Sequence, residues 1–323
     1  MSKVLITTEM FPEEIERLKA AGHEVDVPAE GRLTRAELLA RVGEAEGLIC
    51  LLSDRVDDEV FSAAPRLKVV ANLGVGVDNI DLAAATRRGI PVTNTPDVLT
   101  ETTADLGWAL LMAAARRIVE ADRDLRERGF PGWTFIPPHL GVDVWGRTLG
   151  VVGLGRIGTA VAKRGRGFSM RVLYHSRTRK ERAEEELGLE YAPLEQLLTE
   201  SDFVVLTVPL TPETRHLIGA RELSLMKEDG ILVNIARGPV VDEAALVQAL
   251  KEGAIRAAAL DVFEREPEVH PELLKLRNVV LTPHIGSATW ATRRAMARLA
   301  VGSVIDVLAG RRPANLVNPQ VSP

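Results

Sequence analysis

Thr148-Leu149-Gly150-Val151-Val152-Gly153-Leu154-Gly155-Arg156-Ile157-Gly158 decides how this chain folds. A short apolar run ends in glycines spaced G-x-G-x-x-G, and a helical pattern opens directly behind them. Alone, that spacing also describes a tight turn. Set between a buried strand and a helix, it describes a turn that binds a dinucleotide. The first glycine permits the turn, the second lets backbone approach a pyrophosphate, and the third lets helix pack closely on strand, with free N–H groups facing the anion.

Working outward, Arg171 to His175, Phe203 to Val208, Ile231 to Ile235, Ala257 to Val262 and Val279 to Thr282 read as further strands, which with Thr148 to Gly153 makes six, the number of a dinucleotide-binding domain. The N-terminal half shows the same alternation. Val4 to Thr8, Glu24 to Val27, Gly47 to Leu52, Lys68 to Leu73 and Pro91 to Asn94 read as strands, with amphipathic stretches between them. Apolar runs of this length, unbroken by polar alternation, suit parallel sheets covered on both faces. The predicted fold class is α/β, with two Rossmann-like, doubly wound parallel-sheet domains and a cleft between them. One long helix is predicted from after Pro96 to about Glu127, then a loop over Gly129 to Pro138, whose glycines and prolines forbid a regular element. A last helix is predicted from about Trp290 to Leu308, packed back on the first lobe.

Bulk composition bounds the function. The 323 residues exceed one ordinary core and fit two domains; 46% apolar and 26% charged residues are ordinary globular usage. A net charge of -5 offers no general attraction for nucleic acid. Cys50 is the only cysteine, so no intrachain disulfide and no cysteine-bound metal is expected, and a reducing cytoplasm fits. No apolar window reaches the length of a membrane span, so no membrane partner is expected.

The dinucleotide fingerprint expects an acidic residue about 20 positions on, where it binds the ribose hydroxyls. Here the second strand ends in Tyr174-His175-Ser176-Arg177-Thr178-Arg179-Lys180, with no acid, a hydroxyl and three following cations. A carboxylate about 4 Å from a ribose 2′-phosphate would be repelled, whereas Ser, Thr and Arg attract it. NADPH is therefore the expected coenzyme, with NADH as the weaker alternative; an ordinary solvated basic turn is the competing reading.

Three further segments follow strands directly: Asn234-Ile235-Ala236-Arg237-Gly238, Asp261-Val262-Phe263-Glu264-Arg265-Glu266-Pro267 and Pro283-His284-Ile285-Gly286-Ser287. Ligands of open α/β sheets bind beyond the carboxyl ends of the strands, so Arg237, Asp261, Glu266 and His284 are expected to converge. Taken singly, each also reads as a surface charge, an acidic loop or a structural histidine. Leu73-Gly74-Val75-Gly76-Val77-Asp78 reads equally as a tight turn or as an anion-binding nest of successive N–H groups.

Together, Gly153 to Gly158, Asn234 to Gly238, Ala259 to Pro267 and Thr282 to Ser287 resemble the D-isomer-specific 2-hydroxyacid dehydrogenase family over nearly the whole chain. Within it, Cys50 to Asp54 and Thr95 to Thr103 make the chain most similar to the glyoxylate/hydroxypyruvate reductases (glycerate dehydrogenases). The resemblance implies a substrate lobe of residues 1–98 and 290–323, a coenzyme lobe of residues 99–289, hinges near Pro96 and Gly286, and a homodimer formed through the coenzyme lobe. It makes Arg237, Glu266 and His284 catalytic: Arg237 on the substrate carboxylate and carbonyl, His284 as proton donor, Glu266 holding His284. It places the substrate carboxylate on Val75 and Gly76 opposite Arg237. Coenzyme contacts are implied at Thr103, Gly153, Leu154, Gly155, Arg156, Ile157, Gly158, Ser176, Arg177, Thr178, Arg179, Pro209, Thr214, Ala236, Asp261 and Gly286.

The chemistry agrees with those roles. Reduction at a carbonyl carbon leaves an alkoxide that must be protonated, an imidazolium beside a carboxylate supplies that proton, and an arginine fork matches a carboxylate at two points. The expected reaction takes a small 2-oxo acid to its D-2-hydroxy acid, glyoxylate to glycolate or hydroxypyruvate to D-glycerate. The alternatives are a dinucleotide-sensing, corepressor-like scaffold, disfavoured because no added tail for recruiting proteins is read, and a dehydrogenase for a larger 2-oxo acid.

Overall fold

The computed structural model describes residues 1–321, and the chain divides into two compact units, Met1–Leu99 with Ala288–Pro323, and Thr100–Ser287. Ser322 and Pro323, the end of the 290–323 segment, lie outside the described residues.

The first unit holds strands β1 (Lys3–Ile6), β2 (Glu24–Asp26), β3 (Gly47–Cys50), β4 (Val69–Asn72) and β5 (Val92–Thr93). They form one parallel sheet in the order β2-β1-β3-β4-β5. This is the flavodoxin-like order, whose switch point lies between β1 and β3. β3 and β4 are buried along their whole length, which is why their sequences carry no polar alternation. One face packs on Leu38, Val60, Phe61 and Ala84 from helices following β2, β3 and β4. The other is covered by Ala300, Val301, Val304 and Val307 of the helix Trp290–Leu308. Thr289 caps that helix, its side chain accepting the N–H of Thr292 at 3.2 Å.

The second unit holds β6 (Thr148–Val152), β7 (Arg171–His175), β8 (Glu190–Tyr191), β9 (Phe203–Leu206), β10 (Ile231–Asn234), β11 (Ala257–Leu260) and β12 (Val279–Leu281). All are parallel, in the order β12-β11-β10-β9-β6-β7-β8. The order reverses between β6 and β9, and the glycine loop leaves β6 at that switch point.

Two expectations fail here. The second sheet has seven strands, not six: β8 is two exposed residues that pair with Leu173 and Tyr174, too short to carry an apolar signature. The single long helix after Pro96 is two helices, Thr100–Ala115 and Ile118–Arg128. Arg117 takes a left-handed conformation, φ 52°, its guanidinium pairing with Glu120 and donating to the Pro138 carbonyl at 2.7 Å. Tertiary partners stop the helix inside a run with unbroken helical propensity.

Candidate functional site

Within the second unit the glycine loop has the backbone its residues require. Gly153 has φ 101°, a region closed to other residues without strain. A Cβ on Gly158 would run into the Gly153 carbonyl, so the third glycine is what lets the helix Arg156–Gly167 start against the turn. A Cβ on Gly155 would meet nothing within 4 Å, an open approach to backbone at the N-terminus of a 12-residue helix. That cradle fits a pyrophosphate. Leu154, Arg156 and Ile157 lie on the same turn.

The loop is tied to its neighbours on both sides. The Gly153 N–H donates to the His175 carbonyl at 2.8 Å, setting the end of β7 and Ser176 beside it. Thr207 Oγ1, from the end of β9, donates to the Gly153 carbonyl at 2.5 Å. Ser176 is half-buried and donates to the Thr178 carbonyl at 2.6 Å, while Arg177, Thr178 and Arg179 are exposed. Arg179 grips both oxygens of Glu184, at 2.8 and 2.7 Å, and Tyr174 donates to the same carboxylate. The Arg179 and then the Tyr174 hydrogen bonds hold the Glu184 carboxyl down to about 2. Arg179 thus shapes this turn through Glu184. In the loop after β9, Thr214 Oγ1 donates to the Pro209 carbonyl at 2.6 Å and accepts the Thr211 N–H at 2.8 Å, closing the segment that holds Pro209.

The polar segments sit at the carboxyl ends of β10, β11 and β12. After β10, buried Asn234 shapes the turn. Its Nδ2 donates to the Arg237 carbonyl at 2.9 Å and its Oδ1 accepts the Ala236 N–H at 3.0 Å. Arg237 is thereby set at the rim, half-buried, one guanidinium N–H on the Ala236 carbonyl at 2.8 Å.

After β12, His284 has φ 54°, left-handed backbone that a non-glycine residue holds only where its surroundings enforce it. The enforcing group is Asp261, 2% exposed. Its carboxylate accepts from Thr282 Oγ1 at 2.7 Å, the Ile285 N–H at 2.8 Å and the Gly286 N–H at 2.8 Å, and its carbonyl accepts the His284 N–H at 2.8 Å. Burial pushes the Asp261 carboxyl up, against those hydrogen bonds and the charge of His284. A Cβ at Gly286 would lie 3.3 Å from both Asp261 Oδ2 and Thr103 Cγ2, so Thr103, Asp261 and Gly286 share one spot.

His284 Nδ1 lies 2.9 Å from Glu266 Oε2, and Glu266 Oε1 accepts the Phe263 N–H at 3.0 Å. Burial alone would raise the Glu266 carboxyl, but the hydrogen bond and charge of His284, the Phe263 N–H and the charge of Arg237 outweigh it and leave it below the ordinary carboxylate value. With Nδ1 engaged by the carboxylate, Nε2 is the ring nitrogen that remains for acid–base work. Arg237, Glu266 and His284 therefore form an electrostatically coupled set.

In the first unit, Val75 and Gly76 follow β4 on a turn whose carbonyls are bonded to asparagine amides. Sequence reasoning missed Asn72, Asn94, Thr207, Asn234 and Thr282. Each is a polar residue at or just after the carboxyl end of a strand, and that position is the one signal that marks them.

Residues 108–286 match the family described as D-isomer specific 2-hydroxyacid dehydrogenase, NAD binding domain. The chain belongs to that family. This dehydrogenase is 55% identical to glyoxylate reductase of Thermococcus gammatolerans, over 99% of its own length and 96% of the relative's. Among solved structures it is similar to a protein of Thermus thermophilus, with a TM-score of 0.91 and 49% identity over 98% of this chain and 99% of that one. It is also similar to the NADPH-dependent glyoxylate/hydroxypyruvate reductase of Sinorhizobium meliloti in complex with NADP and malonate, with a TM-score of 0.88 and 36% identity over 99% and 98% of the two chains. The dehydrogenase is an NAD(P)-dependent oxidoreductase that uses a nicotinamide coenzyme. Among the described residues no cluster of histidine, cysteine and carboxylate side chains could hold a metal ion, and no helix is long and apolar enough to cross a membrane.

Proposed function

We propose that this dehydrogenase is an NADPH-dependent reductase of small 2-oxo acids, turning glyoxylate into glycolate and hydroxypyruvate into D-glycerate, in the cytoplasm and as a homodimer. The observation that carries the reading is the set Arg237, Glu266 and His284 at the carboxyl edge of the sheet that bears the glycine loop: an anion-binding fork beside a proton donor held by a carboxylate.

A coenzyme bound at Gly153 to Gly158, with further contacts at Thr103, Pro209, Thr214, Ala236, Asp261 and Gly286, supplies the reducing equivalent. The protein groups do the rest. Arg237 takes the substrate carboxylate by a charge-assisted pair and polarises the carbonyl; in the first unit, the N–H groups of Val75 and Gly76 are the carboxylate donors. His284 Nε2 donates the proton that the reduced carbonyl oxygen requires, and Glu266 stabilises the imidazolium before transfer. In balance, the 2-oxo acid, NADPH and one proton give the 2-hydroxy acid and NADP⁺.

NADPH is favoured over NADH by Ser176, Arg177 and Thr178, where the ribose-binding acid of an NAD site is lacking. Arg179 supports that turn through Glu184. A dimer is favoured by the segment after Gly129, which leaves Trp133 81% and Phe135 84% exposed. The relatives' reductase names speak for a small acid over a larger one and over a scaffold.

The test is kcat/KM for glyoxylate, hydroxypyruvate and pyruvate, each with NADPH and with NADH. Both small acids should exceed pyruvate, and NADPH should exceed NADH. Pyruvate above both would overturn the substrate reading, and parity of the coenzymes would overturn the NADPH reading.

A further inference from the structure

The turn after β4 is held through three successive peptide carbonyls. Gly74 accepts the Thr95 N–H at 2.9 Å, Val75 accepts Asn94 Nδ2 at 2.8 Å, and Gly76 accepts Asn72 Nδ2 at 2.7 Å. In a planar trans peptide, the carbonyl of one residue and the N–H of the next point in opposite directions. Anchoring these carbonyls therefore turns the N–H groups of Val75, Gly76 and Val77 away from their anchors, and it is the Asn94 amide that aims the N–H of Gly76.

Both asparagines are themselves fixed. The Asn94 carbonyl accepts Asn315 Nδ2 at 2.5 Å, and Asn315 Oδ1 accepts Ser303 Oγ of the C-terminal helix at 2.8 Å. Asn72 is fully buried and pairs reciprocally with the Asn79 amide, at 3.1 and 3.2 Å. Asn79 Nδ2 also reaches the carbonyls of Leu51 and Asp54, each at 3.0 Å, so the loop after β3 is tied to the same network. Buried Asn72 and half-buried Asn94, each donating its amide to a backbone carbonyl, hold those peptides in one orientation.

We propose that Asn94 is a positioning residue for the substrate carboxylate, acting through the Val75–Gly76 peptide, with Asn72 bracing the peptide that follows. The inference rests on the reading above that Val75 and Gly76 bind that carboxylate. Without the amide, the Val75 carbonyl loses its partner, the peptide is free to rotate, and the Gly76 N–H is no longer aimed. The carboxylate is bound alike in ground and transition states, so the loss falls on KM and leaves kcat in place.

The variants are Asn94→Leu, Asn94→Ala and Arg237→Lys. The readouts are KM and kcat for glyoxylate, the inhibition constant of oxalate as a carboxylate probe, the Kd of NADPH and the melting temperature. For Asn94→Leu, the glyoxylate KM and the oxalate constant should rise together by about threefold to tenfold, the worth of one hydrogen bond, with kcat and NADPH affinity near parental values. Asn94→Ala, which keeps the backbone bonds to Asn315 and removes the same donor, gives the same readout if the leucine does not fold. Parental KM and oxalate binding in a folded Asn94 variant overturn the proposal when Arg237→Lys raises KM. Parental KM in Arg237→Lys as well would instead overturn the carboxylate reading. A loss spread over kcat, coenzyme affinity and melting, with no excess in KM, also overturns the positioning role.

Discussion

Glu266 holds His284 by one carboxylate oxygen and the backbone of Phe263 by the other. Oε2 lies 2.9 Å from His284 Nδ1, and Oε1 accepts the Phe263 N–H at 3.0 Å. The carboxylate therefore cannot swing away from the ring without giving up a backbone bond, and the imidazole is fixed both in orientation and in which nitrogen it presents.

Glu266→Gln keeps the shape and an acceptor but removes the charge that favours the imidazolium. Reduction should slow, with kcat changed more than KM. The stability effect has a definite sign. The folded carboxyl titrates below its ordinary value of 4.5, so the pair adds stability above that pH and loses it as pH falls through the lower folded value. With side chains 31% and 35% exposed, that contribution is about 1 kcal/mol or less. A parental kcat would show that the carboxylate does not support the donor.

His284→Ala removes the donor itself. Turnover should fall by about 10² to 10⁴, the usual contribution of a positioned general acid, with the NADPH dissociation constant near parental. Single-turnover reduction of glyoxylate measures this directly. Near-parental turnover would remove His284 from the mechanism.

Asp261→Asn tests the clamp on the His284 loop. An amide cannot accept from both the Ile285 and Gly286 N–H groups as the carboxylate does at 2.8 Å each, so a buried donor is left unpaired at a cost of about 1 to 3 kcal/mol. The charge has its own pH dependence. Burial raises this carboxyl above its ordinary value of 3.8, so its ionisation detracts from stability as pH rises through the folded value, and the variant should show less of that slope. Urea unfolding at two pH values, paired with kcat, measures both effects. Parental unfolding and parental kcat together would mean that the loop does not depend on Asp261.

Ser176→Asp combined with Arg177→Ser tests coenzyme choice. A carboxylate facing a 2′-phosphate, together with the lost cation, should weaken NADPH binding by about 2 to 4 kcal/mol and improve NADH relative to it. Fluorescence titration of both coenzymes decides it. An unchanged ratio of the two dissociation constants would place the selectivity elsewhere.

The glycine loop was legible because its requirements are local: a strand, a turn open only to glycine at Gly153, and a helix start that leaves no room for a side chain at Gly158. The α/β class was legible for the same reason, since strands buried on both faces, such as Gly47–Cys50, carry no polar alternation. That Arg237, Glu266 and His284 should converge was legible from their places after strands, but their separate roles came only from family resemblance, because nothing in a spacing of 18 residues says that Glu266 reaches His284. What tertiary structure alone decided are features whose partners lie far along the chain. The helix break at Arg117 depends on Pro138, and the pairing of β8 on Tyr174. The clamp of Asp261 closes on residues 21 to 25 positions away, and Asn94 anchors Val75 across 19. A hydrogen bond is selected by distance and angle between two groups, and those are set by how the strands stack in order, which no local pattern encodes.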